Sequence, residues 1–148
     1  MKIKVQDLPS LPLLLSLVLF PAITAAQQGA PGGEWPDYGG DLGSTKFAPL
    51  SQIDEINVEN VSVAWMWHSP DDELVAENPR LRPGTFKATP LMVDGVLYIQ
   101  TSLSLLAAID AASGEQLWAF DPLSHEAGRP VNLGFNARGV AHWKEGDD

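Results

Sequence analysis

Nine basic side chains offer positive charge for binding an anion. Arg138 stands in Asn136-Ala137-Arg138-Gly139-Val140-Ala141, and Lys87 in Phe86-Lys87-Ala88-Thr89-Pro90-Leu91. A guanidinium is planar and presents two N–H donors to a carboxylate, whereas a lysine ammonium is a point charge without that fork. Both suit recognition of carboxylates. His142 stands alone, and a lone histidine is more often structural than catalytic. There is no Gly-rich phosphate loop, nucleophile elbow or His-rich metal spacing, and Asp71-Asp72-Glu73 reads as solvated loop charge rather than a calcium site. With no cysteine in 148 residues, thiolate ligands and a disulfide framework are excluded. No catalytic residue and no metal ligand is assigned within the chain.

The elements that must position these groups are strands. Between Ala88 and Asp121 four strand signals alternate with three turn signals, which is the pattern of one antiparallel blade. Leu91 to Val93 and Val96 to Ile99 flank Asp94-Gly95, a two-residue loop suited to a type I′ hairpin because both positions need positive φ. The apolar run Leu105 to Ile109 follows Thr101-Ser102. A turn at Asp110-Ala-Ala-Ser-Gly114 then leads to Gln116 to Phe120, with Gly114 free to turn left-handed. Val61 to His68, VSVAWMWH, alternates as a strand, with Val61, Val63, Trp65 and Trp67 on one face and no hairpin partner nearby. Ser69 to Thr85, rich in acids and prolines, is expected to be a long surface loop. Ser51 or Asn57 is expected to cap a short helical turn.

The turn and its indole, Ala108-x-Asp110-x-x-Ser113-Gly114-x-x-x-Trp118, resemble the tryptophan-docking repeat of the PQQ-dependent quinoprotein dehydrogenases. Without that resemblance Trp118 would read as a core aromatic of some β-meander. Two further stretches are similar to that family. Trp35-Pro36-x-Tyr38-Gly39-Gly40-Asp41, with Lys46-Phe47-Ala48-Pro49-Leu50, Gln52-Ile53 and Asn57-Val58, matches its opening segment. Asn136 to Ala141 is similar to its Asn-x-Arg-Gly-hydrophobic-Ala stretch. The resemblance runs from Trp35 to about Trp143 and implies an all-β fold, the N-terminal part of an eight-bladed β-propeller. That part would comprise an opening segment, one complete four-stranded blade and the first strand of a second. It implies that a Trp indole stacks on the Gly-containing turn of a neighbouring blade, and that Val61 to His68 is the outer strand of the final blade.

The same resemblance implies pyrroloquinoline quinone and calcium as cofactors, with Arg138 reaching the quinone from the inner strand of the following blade. Lys87 takes the position where related dehydrogenases set a side chain, often acidic, beside the quinone. Here the charge is reversed, and the alternative is a solvated lysine at a strand entrance. His142 would stand near the substrate mouth or be structural. The alcohol-oxidising branch carries adjacent cysteines where this chain has Asn132-Leu133, so the resemblance points toward the glucose-type branch. Its catalytic carboxylate and calcium ligands would lie in blades beyond Asp148.

The formal net charge is −10, with 9 basic residues scattered among 19 acidic ones. Nucleic-acid binding, which needs clustered Lys and Arg to replace counterions, is disfavoured. Lys2 and Lys4 precede the apolar run Leu11 to Phe20, which ends at Pro21 before Thr24-Ala25-Ala26. That is the layout of a signal peptide cleaved near Ala26, and the run is far short of the roughly 20 residues that cross a bilayer. Residues 1–26 are thus read as signal peptide, Gln27 to Glu34 as a flexible leader, and 35–148 as the propeller portion, periplasmic or secreted and with no transmembrane segment after cleavage. The expected function is the front end of a dehydrogenase that oxidises glucose or another sugar or alcohol and passes electrons to a respiratory acceptor, ubiquinone or cytochrome c. The portion by itself is expected to be inactive and aggregation-prone, because unpaired edges and half-covered faces are liabilities. The alternative is a non-enzymatic envelope scaffold built of the same repeat. That reading is weaker because such lipoproteins need a cysteine after the signal peptide.

Overall fold

A computed structural model describes residues 29–131 and 134–145. The expected signal peptide and the Asn132-Leu133 step lie outside these residues.

The element order is α1 (Asp71–Glu77), β1 (Thr85–Thr89), β2 (Leu91–Val93), β3 (Val96–Gln100), β4 (Leu106–Asp110), β5 (Gln116–Phe120) and β6 (Asn136–Gly139). Strands β2-β3-β4-β5 form one antiparallel sheet in sequence order, the blade expected from the sequence. Asp94 and Gly95 both take positive φ, 51° and 79°, so the first hairpin has the expected turn, with Val93 opposite Val96. At the second turn Asp110 Oδ1 accepts the N–H groups of Ala112 and Ser113 and the Ser113 hydroxyl. These bonds, led by the Ser113 hydroxyl, hold the Asp110 carboxyl below its ordinary value. A register shift between Ala108 and Ile109 then bends β5 relative to β4.

Gly114, at φ 76°, is where the docking motif acts. A Cβ there would meet the indole of Trp65 at 2.5–2.7 Å, and Trp65 Nε1 donates to the Ala111 carbonyl at 3.1 Å. The indole that lies on the blade's glycine turn therefore comes from the 61–68 stretch. Among the described residues that stretch joins no ladder and is held by its indoles: Trp67 Nε1 donates to Gln116 Oε1 at 3.1 Å. The expected alternation holds only in its second half: Trp65 and Trp67 are half-buried between exposed Met66 and His68, whereas Val61 and Val63 of the same expected face are exposed. Trp118 has no glycine turn against its face among the described residues. It stays 45% exposed and tilts against Tyr98, 6.1 Å between centroids.

Gly114→Ala should lower stability by about 1–3 kcal/mol, combining backbone strain with overlap on the indole. Gly95→Ala meets nothing within 4 Å and carries only the backbone term. Urea midpoints of the two variants in the full-length protein check this; equal losses would remove the docking contribution.

The opening segment adds to the edge of β2. Trp35 and Met92 exchange both backbone hydrogen bonds, at 2.8 and 3.0 Å, and the Trp35 ring lies over Gly40. Residues 29–34 correct the expectation of a flexible leader. Ala30 is buried and donates its N–H to the Phe47 carbonyl, Pro31–Gly33 form a 3-10 turn, and a Glu34 carboxylate oxygen accepts the Asp94 N–H. The short helical turn near Asn57 exists at Val58–Asn60, but the side chain that organises it is Asp54, which accepts the N–H groups of Ile56 and Asn57.

A larger correction concerns Ser69 to Thr85, expected to be loop, where α1 forms. Its signal was present: Ser69-Pro70 followed by three acidic residues in the first turn, where the helix dipole favours negative charge, with Ser69 Oγ accepting the Asp71 N–H. The prolines and acids masked it. Helix α1 lays Leu74 and Val75 against a core of Leu81, Leu103, Leu105 and Phe135. Asp71 is not solvated loop charge. It is 5% exposed, accepts the Thr101 hydroxyl at 2.6 Å and the Leu103 N–H at 2.9 Å, and ties α1 to the β3–β4 loop.

Candidate functional site

Strands β1 and β6, far apart in sequence, pair in parallel beside the blade, with Phe86 matched to Ala137 and Thr89 to Gly139. The strand carrying Arg138 thus has its partner in β1 and ends at Gly139. Lys87 and Arg138 both fall between those matched pairs, so the two cations identified in the sequence stand on neighbouring strands. Ala137 is fully buried, and side chains alternate across a strand, so Arg138 faces the opposite, open side. Lys87 is exposed as well. Neither makes a salt bridge among the described residues, where the ion pair present is His125–Asp121.

Two groups that the sequence reading did not single out complete the site. Asn136 shares the Arg138 face by alternation, and its Oδ1 is buried without a hydrogen-bond donor among the described residues. A buried acceptor without a donor costs free energy unless something supplies one. From the end of β3, Gln100 Oε1 accepts the backbone N–H groups of both Arg138 and Gly139, at 3.0 and 3.1 Å. Asn136 was visible as part of the arginine motif. Nothing in the sequence marked Gln100, whose partner is 38 positions away.

His142 and Trp143 lie past the end of β6, both exposed, over an apolar pocket of about 350 Å³ that includes Tyr98, Trp118 and Val140. His142 therefore sits with the aromatic face of the blade and outside the paired strands that carry the cations. Among the described residues no group of three or more His, Cys, Asp or Glu is placed to hold a metal ion, and no helix is long and apolar enough to cross a membrane.

A second polar cluster lies at the far end of α1, where Arg80 and Glu77 face His125, Glu126 and Arg129 around a pocket of about 420 Å³. His125 Nε2 and Asp121 Oδ2 are 2.8 Å apart. Burial pushes the Asp121 carboxyl up, but the hydrogen bond from His125, the Leu123 N–H and the imidazole charge together hold it below its ordinary 3.8. The folded carboxylate therefore stabilises the fold fully above the unfolded value. That contribution is withdrawn as pH falls through the lower, folded value. The expected result is a drop in melting temperature from pH 6 to pH 3 that is shallower in Asp121→Asn; parallel curves for both proteins would refute it.

Residues 35–148 match the family described as PQQ: Glucose/ethanol/alcohol dehydrogenase, beta-propeller domain. The chain belongs to the PQQ-dependent dehydrogenases. It is 38% identical over 123 residues to the quinohemoprotein alcohol dehydrogenase ADH IIB of Pseudomonas putida, covering 82% of this chain and 16% of that protein. It is 38% identical over 91 residues to the quinoprotein glucose dehydrogenase of Escherichia coli, covering 60% of this chain and 11% of that protein. The crystal structure of quinohemoprotein alcohol dehydrogenase from Comamonas testosteroni superposes with a TM-score of 0.48 at 31% identity, covering 60% of this chain and 12% of that one. The chain thus spans about a sixth or less of the length of these relatives.

The residues present fit the family's cofactor. Two exposed cations without carboxylate partners among the described residues suit a tricarboxylate, and Asn136 Oδ1, without a donor among the same residues, can take an N–H. Arg138, Lys87 and Asn136 would hold the quinone, and when bound it supplies the electron-accepting ring of the oxidation. The chain's own part there would be to bind and orient, Arg138 through its two-donor fork and Lys87 through its charge.

Proposed function

We propose that this chain forms part of the quinone-binding wall of a periplasmic PQQ-dependent dehydrogenase. That enzyme oxidises glucose or another sugar or alcohol and passes the electrons to ubiquinone or cytochrome c. The observation that carries the reading is the pairing of β1 with β6, which sets Lys87 and Arg138 on neighbouring strands, both exposed and neither in a salt bridge among the described residues. Calcium belongs to the same reading, with its ligands in other parts of the protein. The absence of the cysteine pair favours a sugar over a simple alcohol as substrate. The signal-peptide pattern at the N-terminus supports the periplasm.

The test is reconstitution of the full-length protein with pyrroloquinoline quinone and calcium, followed by dye-linked oxidation assays with glucose, ethanol and 1-butanol. Quinone- and calcium-dependent turnover with a preference for glucose is expected. Quinone binding with turnover of the alcohols only would move the substrate to the alcohol branch. No quinone binding at all would favour the envelope scaffold.

A further inference from the structure

We infer that Gln100 is a positioning residue for Arg138, gripping β6 from β3 with a single side-chain oxygen. The inference rests on the reading of Arg138 as a quinone ligand and deepens it. The N–H of Arg138 belongs to the peptide plane before its Cα, and the N–H of Gly139 to the plane after it. Both donate to Gln100 Oε1, at 3.0 and 3.1 Å. The two planes that flank one Cα determine the direction of its Cα–Cβ bond, so one acceptor sets where the guanidinium is aimed.

Successive N–H groups of a regular strand point to opposite edges and cannot share an acceptor. Here both point to one acceptor, in a stretch where the pairing of β6 with β1 is irregular between Phe86 and Thr89. The β1–β6 ladder by itself therefore leaves this stretch under-determined. Gln100 supplies the missing constraint, and it is itself held firmly. Its backbone pairs with Leu106 in the blade, and the next residue, Thr101, is locked by the Asp71 carboxylate and the Leu105 N–H. A binding group supported in this way from a rigid element keeps its geometry when no ligand is bound.

The experiment uses the full-length protein and three readouts: amide hydrogen exchange at Arg138 and Gly139 without quinone, quinone titration, and a double-mutant cycle with Arg138→Ala. Gln100→Met keeps the length of the side chain and removes the acceptor. It should expose both amides to exchange and weaken quinone binding about three- to tenfold. Gln100→Glu keeps an acceptor oxygen and should retain amide protection, which separates loss of the grip from loss of the fold. In the Arg138→Ala background Gln100→Met should weaken binding no further.

Equal losses in both backgrounds would overturn the inference, since Gln100 would then act other than through Arg138. Unchanged amide exchange or unchanged quinone affinity in Gln100→Met would overturn it too. If Arg138→Ala alone binds quinone like wild type, the arginine reading has failed, and this inference falls with it whatever the amides show.

Discussion

Arg138→Lys in the full-length protein is expected to bind pyrroloquinoline quinone about tenfold more weakly than wild type, and Arg138→Ala about ten- to a hundredfold more weakly. A charge-assisted hydrogen bond is worth about 1.5–3 kcal/mol, and each 1.4 kcal/mol is a factor of ten in affinity. The lysine keeps the charge but not the two-donor fork, so its loss measures how much of the interaction is geometric. Arg138 is exposed on a strand whose inward position, Ala137, is filled, so truncating it should leave the fold intact. The check is quinone titration of the apo-protein for the three proteins, with melting temperature as control. Wild-type affinity in both variants removes Arg138 from the cofactor site. Equal destabilisation of both apo-proteins makes its role packing between strands.

The second large effect is expected from Asp71→Ala, at about 2–4 kcal/mol of stability. The carboxylate takes two donors in a buried place, the Thr101 hydroxyl and the Leu103 N–H, and alanine leaves both without an acceptor. Each stranded donor costs about 1–3 kcal/mol. Asp71→Asn retains one carbonyl oxygen and should lose roughly half as much. Because α1 covers Leu103 and Leu105 through Leu74 and Val75, the same change should open that core to proteolysis. Urea midpoints and limited proteolysis test it, and an Asp71→Ala protein as stable as wild type would mean that water replaces the carboxylate.

These two residues show how unevenly the sequence could be read. Arg138 was singled out by the resemblance of its flanking residues to the family's arginine stretch. Asp71 was misread, because Asp-Asp-Glu beside prolines is the composition of a solvated loop, and nothing local says that a threonine 30 positions on will bury one of its carboxylates. Lys87 lies between these cases. Its position was legible and its exposure agrees with the solvated alternative, yet its pairing with the Arg138 strand depends on a long-range parallel contact.

By itself the sequence determined the blade. The short β-forming runs, the Asp94-Gly95 turn and the Asp110-to-Gly114 turn are local features, and local sterics and hydrogen bonding decide them within a few residues. The family resemblance of its motif implied an indole on a glycine turn, and Gly114 admits one because it carries no Cβ. Only the tertiary structure decided which ring: Trp65 reaches that turn across 46 positions, by a bond to Ala111. It alone decided that 69–85 contains a helix and that β1 and β6 meet. Those outcomes depend on which surfaces lie opposite each other after the blade has formed, and contacts of that separation leave no periodicity in the chain.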